Sequence, residues 1–172
     1  MFMILLSGGS GKRLWPLSNG VRSKLFLRLL QSPSGEEESM LQRVRRQIGE
    51  TFETVSVTIA TGWTQLEAIR NLLGDNVDVV AEPERRDTFP AIALSVSYLF
   101  FEKGVADDDV IVVMPYDTYD ESGYFDAVRK MAALVKEGTA EIALMGVVPS
   151  CPSTKYGYSV FPKISFDYEM VE

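Results

Sequence analysis

The feature that most constrains this chain is an apolar run that ends in glycines. Residues 1–7 form a short, almost continuously apolar segment, and it passes straight into Gly8-Gly9-Ser10-Gly11-Lys12-Arg13, followed by Leu14-Trp15-Pro16-Leu17-Ser18 and Lys24. A short apolar run closed by glycine reads as a strand buried on both faces. Glycines let the backbone turn at positive φ and bring bare N–H groups against an anion, and Arg13 and Lys24 stand close by in sequence to neutralise it. The ligand this implies is a phosphate chain.

Three better-known glycine motifs do not fit. The P-loop requires glycine five places before its Gly-Lys pair and Ser or Thr after it, but those places hold Leu6 and Arg13. A dinucleotide fingerprint starting at Gly9 requires a third glycine where Leu14 stands, and a nucleophile elbow requires glycine where Lys12 stands. The segment is a phosphate loop of another kind.

The remainder of the chain alternates strand and helix patterns. Residues 31–38 are polar punctuation, and the acidic run 36–38 reads as a solvated loop or helix start. A helix over 39–48 follows, with Met40, Leu41, Val44 and Ile48 at helical spacing. Residues 55–60 read as a strand, and Thr64 with Glu67 forms a capping box opening a helix that ends near Gly74, with Leu66, Ile69, Leu72 and Leu73 inward. Residues 77–81 form another strand. Pro90 sits in the first turn of a helix running to Lys103, expected to be largely buried through Ile92, Leu94, Val96, Tyr98, Leu99 and Phe101. Strands over 110–114, 142–148 and 156–161 and a helix over 124–136 complete the pattern.

Alternation of this kind predicts one α/β domain over 1–172 with a mostly parallel sheet and helices on both faces. In such sheets ligands sit beyond the carboxyl ends of the strands, so the glycine loop, residues 82–88 and Asp117 are expected to converge on one edge.

Composition narrows the chemistry. The 172 residues contain no histidine and one cysteine, Cys151, which excludes Ser-His-Asp and Cys-His catalysis and any zinc site built on imidazole or a thiolate cluster. A metal here would take oxygen ligands, and Mg²⁺ held by a carboxylate and substrate phosphates fits best. A net charge of −7 argues against nucleic acid or an anionic membrane as a partner. The single cysteine suits a reducing compartment, and the opening apolar run is too short for a signal peptide or a span, so a cytoplasmic protein is expected. A phosphate loop, two cations and a carboxylate at a strand end suit phosphoryl or nucleotidyl transfer, which is mostly positioning and charge neutralisation. An attacking phosphate is already ionised near neutral pH and needs no histidine.

The segment from Gly8 to Ser18 with Lys24 resembles the signature of the sugar-phosphate nucleotidyltransferases. Its Leu14-Trp15-Pro16-Leu17-Ser18 form, together with Glu82-Pro83, Arg86-Asp87-Thr88, Pro90-Ala91-Ile92, Pro152-Ser153-Thr154 and Tyr156-Gly157-Tyr158, resembles the mannose-1-phosphate guanylyltransferase family. This resemblance implies a Rossmann-like three-layer nucleotidyltransferase fold, apparently truncated, with its C-terminal part absent. The implied reaction is attack of mannose 1-phosphate on the α-phosphorus of GTP, giving GDP-mannose and pyrophosphate. It also implies that Gly8, Gly9, Gly11 and Lys12 cradle the nucleotide phosphates, and that Arg13 neutralises the departing pyrophosphate. Lys24 would hold the phosphates near the reacting centre, Glu82, Arg86, Asp87 and Thr88 would lie by the guanine, and Asp117 would bind Mg²⁺. Tyr156, Gly157 and Tyr158 would face the sugar.

Against the family pattern, Lys12 replaces Thr, Ser23 replaces Pro, Asp87 replaces Asn, Tyr116 and Thr118 replace Ser and His, and Lys155 replaces Gly. Asp87 accepts hydrogen bonds but cannot donate as an amide does, which bears directly on base recognition. Two other readings follow: a transferase using UTP or dTTP, and a non-catalytic nucleotide-binding module. For the short chain, weak GTP binding, little turnover alone and self-association are expected. Trp15 and Trp63 are read as packing residues, Cys151 as structural, and Arg85 and Arg86 as either nucleotide contacts or partners of surface carboxylates.

Overall fold

The computed structural model describes residues 1–7, 24–84, 86–116, 123–154 and 157–158. Its centre is a four-stranded parallel sheet in the order β5-β4-β1-β6, made by β1 (Phe2–Leu6), β4 (Ser56–Gly62), β5 (Asp78–Glu82) and β6 (Ile111–Pro115). Inside it, β1 pairs with β4 from Phe2↔Ser56 to Leu6↔Ala60 and with β6 from Phe2↔Ile111 to Leu6↔Pro115. A strand flanked on both edges and covered on both faces has no solvent side, which is why its sequence is apolar without alternation.

The two faces separate by the period of the strand. Met3 and Leu5 point into the larger core with Ile59 and Met114, closed by Leu41, Val44 and Ile48 of α1 (Met40–Thr51), Ile69 of α2 (Leu66–Leu73), and Phe125 and Val128 of α4 (Tyr124–Lys136). Ile4 and Ala60 point the other way, against Leu99 of α3 (Thr88–Lys103) and Val105. The expected three-layer α/β architecture is therefore present.

Ser39 caps α1: its hydroxyl accepts from the Gln42 amide while the Gln42 side chain accepts from the Ser39 amide. Before it lies a hairpin that the polar composition of 31–38 concealed, β2 (Arg28–Gln31) antiparallel to β3 (Glu37–Ser39). Gly35, at φ 84°, closes its turn with an amide bond to the Ser32 carbonyl of 2.9 Å. Within the acidic run Glu36 and Glu37 are exposed, but Glu38 is buried, and both its oxygens accept from Arg46 at 2.8 and 3.2 Å. The carboxylate tolerates burial because a guanidinium on α1 satisfies it bidentately.

Five further expectations are corrected. The capping box at Thr64 does not form; Trp63–Gln65 make a 3₁₀ turn, and Gln65 precedes α2 with no side-chain cap bond. The helix α3 buries only the stripe Ala91, Ser95 and Leu99, while Phe89, Leu94, Phe100 and Phe101 are exposed, because among the described residues it is the one helix packed on the second face. No strand forms over 142–148 among the described residues: Ala143 and Met145 are half-buried, whereas Ile142, Leu144, Val147 and Val148 stand exposed, with no ladder to another described segment. Alternation supplies a strand's pattern, but a ladder also needs a partner's backbone. Trp63 and Cys151 are both exposed rather than packed. The expected strand over 156–161 lies mostly outside the described residues, and residues 157–158 are not in a ladder.

Candidate functional site at the carboxyl ends of the strands

The parallel register brings the carboxyl ends of β1, β4, β5 and β6 to one edge, since Leu6 stands opposite both Ala60 and Pro115, and Gly62 opposite Glu82. Ser7, Trp63, Pro83 and Tyr116 are the residues that leave the sheet there. The glycine loop therefore starts at the same edge as the 82–88 segment and as the residue preceding Asp117. Gly8, Gly9, Gly11, Lys12, Arg13, Asp117 and Tyr156 themselves lie outside the described residues, as does Arg85. Lys24 opens a 3₁₀ turn, Lys24–Phe26, which is pinned by Leu25 buried in the larger core.

Glu82 is the last residue of β5 and is half-buried. Arg86 is exposed and pairs with Glu84, its Nη2 and Nε donating to Oε2 at 2.9 and 3.3 Å. Arg86 thus makes a surface ion pair in this structure. Asp87 holds φ 75°, and its carboxylate accepts from the Thr88 amide at 3.1 Å, so it caps α3. That pairing places a negative group at the positive end of a helix dipole. It also occupies one of the oxygens that a base contact would use. Thr88, the first residue of α3, is exposed.

Gly157 and Tyr158 belong to a different neighbourhood. The Tyr158 hydroxyl donates to the Ser153 carbonyl at 3.0 Å and accepts from the Ser153 amide at 2.7 Å, closing a turn. This turn borders an open cavity of about 530 Å³ lined by residues of 149–154 and Tyr158, with no strand-end residue in its wall among the described residues.

One group at the strand ends escaped the sequence reading. Ser7, Thr61 and Gln65 are all buried, and the Ser7 hydroxyl lies 2.7 Å from Thr61 Oγ1 and 3.1 Å from Gln65 Oε1, with Thr61 Oγ1 also 3.1 Å from Gln65 Oε1. No local pattern announces this cluster, because Ser7 stands 54 and 58 positions away from its two partners in the chain. The only available signal was the polar residue Ser7 closing an otherwise apolar strand.

Among the described residues no three His, Cys, Asp or Glu side chains are grouped to hold a metal. The donor chemistry still fits Mg²⁺: with histidine absent, Asp117 can offer one hard oxygen ligand, and Mg²⁺ commonly completes its shell with phosphate and water. Among the described residues no helix is long and apolar enough to cross a membrane.

Comparison with known proteins decides the family. The sequence matches the Nucleotidyl transferase family over residues 2–170. This chain belongs to that family. It is 33% identical over 160 residues to the xanthan biosynthesis protein XanB of Xanthomonas campestris pv. campestris (strain B100), covering 90% of this chain and 32% of that protein. It is 30% identical over 161 residues to mannose-1-phosphate guanylyltransferase of Klebsiella pneumoniae, again covering 90% of this chain and 32% of the relative. The crystal structure described as mannose-1-phosphate geranyltransferase from Thermus thermophilus superposes with a TM-score of 0.61 at 29% identity, over 80% of this chain and 38% of that one. The chain spans about a third of the length of the curated relatives it matches, and the matched part is their N-terminal portion.

Proposed function

We propose that this chain binds GTP at the glycine loop and serves guanylyl transfer to mannose 1-phosphate. The observation that carries the reading is the emergence of the loop at Ser7, on the same sheet edge as Glu82 and Tyr116, in a chain of this family. Relatives bearing the name mannose-1-phosphate guanylyltransferase support the choice of substrates.

In this reading the amides of Gly8, Gly9 and Gly11 hold the phosphate chain, and Lys12 and Arg13 offset its charge. An oxygen of the sugar phosphate attacks the α-phosphorus, the bond to the bridging oxygen breaks, and pyrophosphate departs with the electron pair toward Arg13. The attacking oxygen carries no proton to remove, so the reaction does not need a histidine. Lys24 steadies the reacting phosphates, and Glu82, Arg86 and Thr88 serve the base, with Asp87 restricted by its cap. Bound at Asp117, Mg²⁺ supplies further neutralisation of phosphate charge.

The test is thermal-shift titration of the 172-residue chain against GTP, ATP, UTP and dTTP with Mg²⁺. Ligand at about a hundredfold over Kd stabilises the folded state by about 2.7 kcal/mol, and GTP is expected to give the largest shift. Stabilisation by UTP or dTTP but not GTP would overturn the base assignment, and no shift with any of the four would overturn nucleotide binding itself.

A further inference from the structure

From the Ser7, Thr61 and Gln65 cluster we infer a positioning device: a three-member polar lock that fixes where β1 ends and the glycine loop begins, and so sets phosphate affinity. The inference rests on the proposed function for its ligand, but its geometry stands on described residues alone. Ser7 is the last residue before the loop. Its amide donates to the Ala60 carbonyl at 2.8 Å, and its hydroxyl lies beside the Thr61 hydroxyl and the amide oxygen of Gln65.

The hydrogen arithmetic is closed for the two hydroxyls. The Ser7 hydroxyl has a single proton, which goes to Thr61 Oγ1 at the shorter distance, and the Thr61 proton goes to Gln65 Oε1. All three residues are at most 3% exposed, so water does not compete for these bonds. Each member also belongs to a different piece of the edge: Ser7 follows β1, Thr61 lies in β4, and Gln65 closes the 3₁₀ turn before α2. Movement of the β1 exit would therefore break the Ser7 bond to Thr61, the hydroxyl through which the exit is tied to Gln65. Gln65 explains the failed capping box in the same terms, because the turn that buries its amide against Ser7 and Thr61 delays the helix to Leu66.

A buried polar cluster can also be merely structural, and a second threonine in the same strand provides the control. Thr58 is fully buried in β4, and its hydroxyl donates to Asp78 at 3.2 Å, away from the strand ends. The experiment compares Thr61→Val, Thr61→Ser, Gln65→Met and Thr58→Val in the full chain. It reads the hydrogen exchange of the Ser7 amide by NMR and the affinity for Mg·GTP by calorimetry.

Thr61→Val is expected to speed Ser7 exchange about tenfold and to weaken GTP about tenfold, the factor carried by a hydrogen bond lost from a buried network. Thr61→Ser restores both, Gln65→Met repeats the Thr61→Val result should that variant fold poorly, and Thr58→Val changes neither by more than about twofold while lowering the melting temperature. Equal behaviour of Thr61→Val and Thr58→Val in Ser7 exchange, or unchanged GTP affinity in a well-folded Thr61→Val, overturns the lock. Failure of the wild type to bind any of the four nucleotides counts against the proposed function, and Ser7 exchange then decides the lock by itself.

Discussion

Removing Arg46 should cost this protein more than removing Glu38, although the two are partners in one ion pair. Arg46 donates to Glu38 at 2.8 and 3.2 Å and to both oxygens of Glu50 at 3.1 and 3.2 Å. The Glu38 side chain is 8% exposed and that of Arg46 29% exposed. Arg46→Ala strands a carboxylate that water barely reaches, and a fully buried pair broken this way costs about 3–5 kcal/mol. With Arg46 itself partly solvated, about 2–3 kcal/mol is the expected loss. Glu38→Ala leaves a guanidinium still paired with Glu50 and open to solvent, for a loss of about 1 kcal/mol. The hydrogen bonding that Glu38 accepts from Arg46 is also the leading reason that the Arg46 pKa lies above its ordinary value. Urea denaturation of both single variants and of the double variant measures the costs and their coupling. Equal losses, or a loss under about 0.5 kcal/mol for Arg46→Ala, would refute the claim that the buried carboxylate dominates.

Two more expectations concern the second face of the sheet and its β5 edge. Leu99→Ala should destabilise by about 2–5 kcal/mol in the same assay, because Leu99 is fully buried and α3 is the helix that covers Ile4 and Ala60. Asp78 accepts from Tyr98 at 2.9 Å and from Lys103 at 2.9 Å, and both groups have raised pKa values, Tyr98 chiefly by burial and Lys103 chiefly by its bond to Asp78. A raised folded pKa stabilises below the unfolded value and is lost as pH climbs through the folded one, so the cluster's contribution should fade above its ordinary 10.0 for Tyr98 and 10.5 for Lys103. Lys103 is well exposed, which holds the effect under about 1 kcal/mol; Asp78→Asn should flatten that limb of the stability profile, and an unchanged limb would contradict the assignment.

Most of the sheet was legible in sequence because its signal is local. The strands at 1–7, 55–60, 77–81 and 110–114 appear as β1, β4, β5 and β6 within two residues at each end, and Ser39 and Pro90 mark α1 and α3. What failed depended on distant partners. Glu38 looks solvated, like Glu36 and Glu37, until Arg46 is placed beside it, and 142–148 looks like a strand until no ladder for it is found among the described residues. Phe101 and Phe89 carry helix-core chemistry on a helix that touches the sheet along one stripe only.

The candidate site divides in the same way. The residue types that can hold a phosphate chain, the exclusion of imidazole and thiolate chemistry and the family itself were fixed by order and composition alone, because glycine spacing and charge act over a few neighbouring residues. Only the tertiary structure decided that Arg86 pairs with Glu84, that Asp87 caps α3, and that Tyr158 closes a turn of its own. It alone brought Ser7 to Thr61 and Gln65, since a hydrogen bond requires atoms within about 3 Å and chain order says nothing of which distant atoms the parallel register will bring that close.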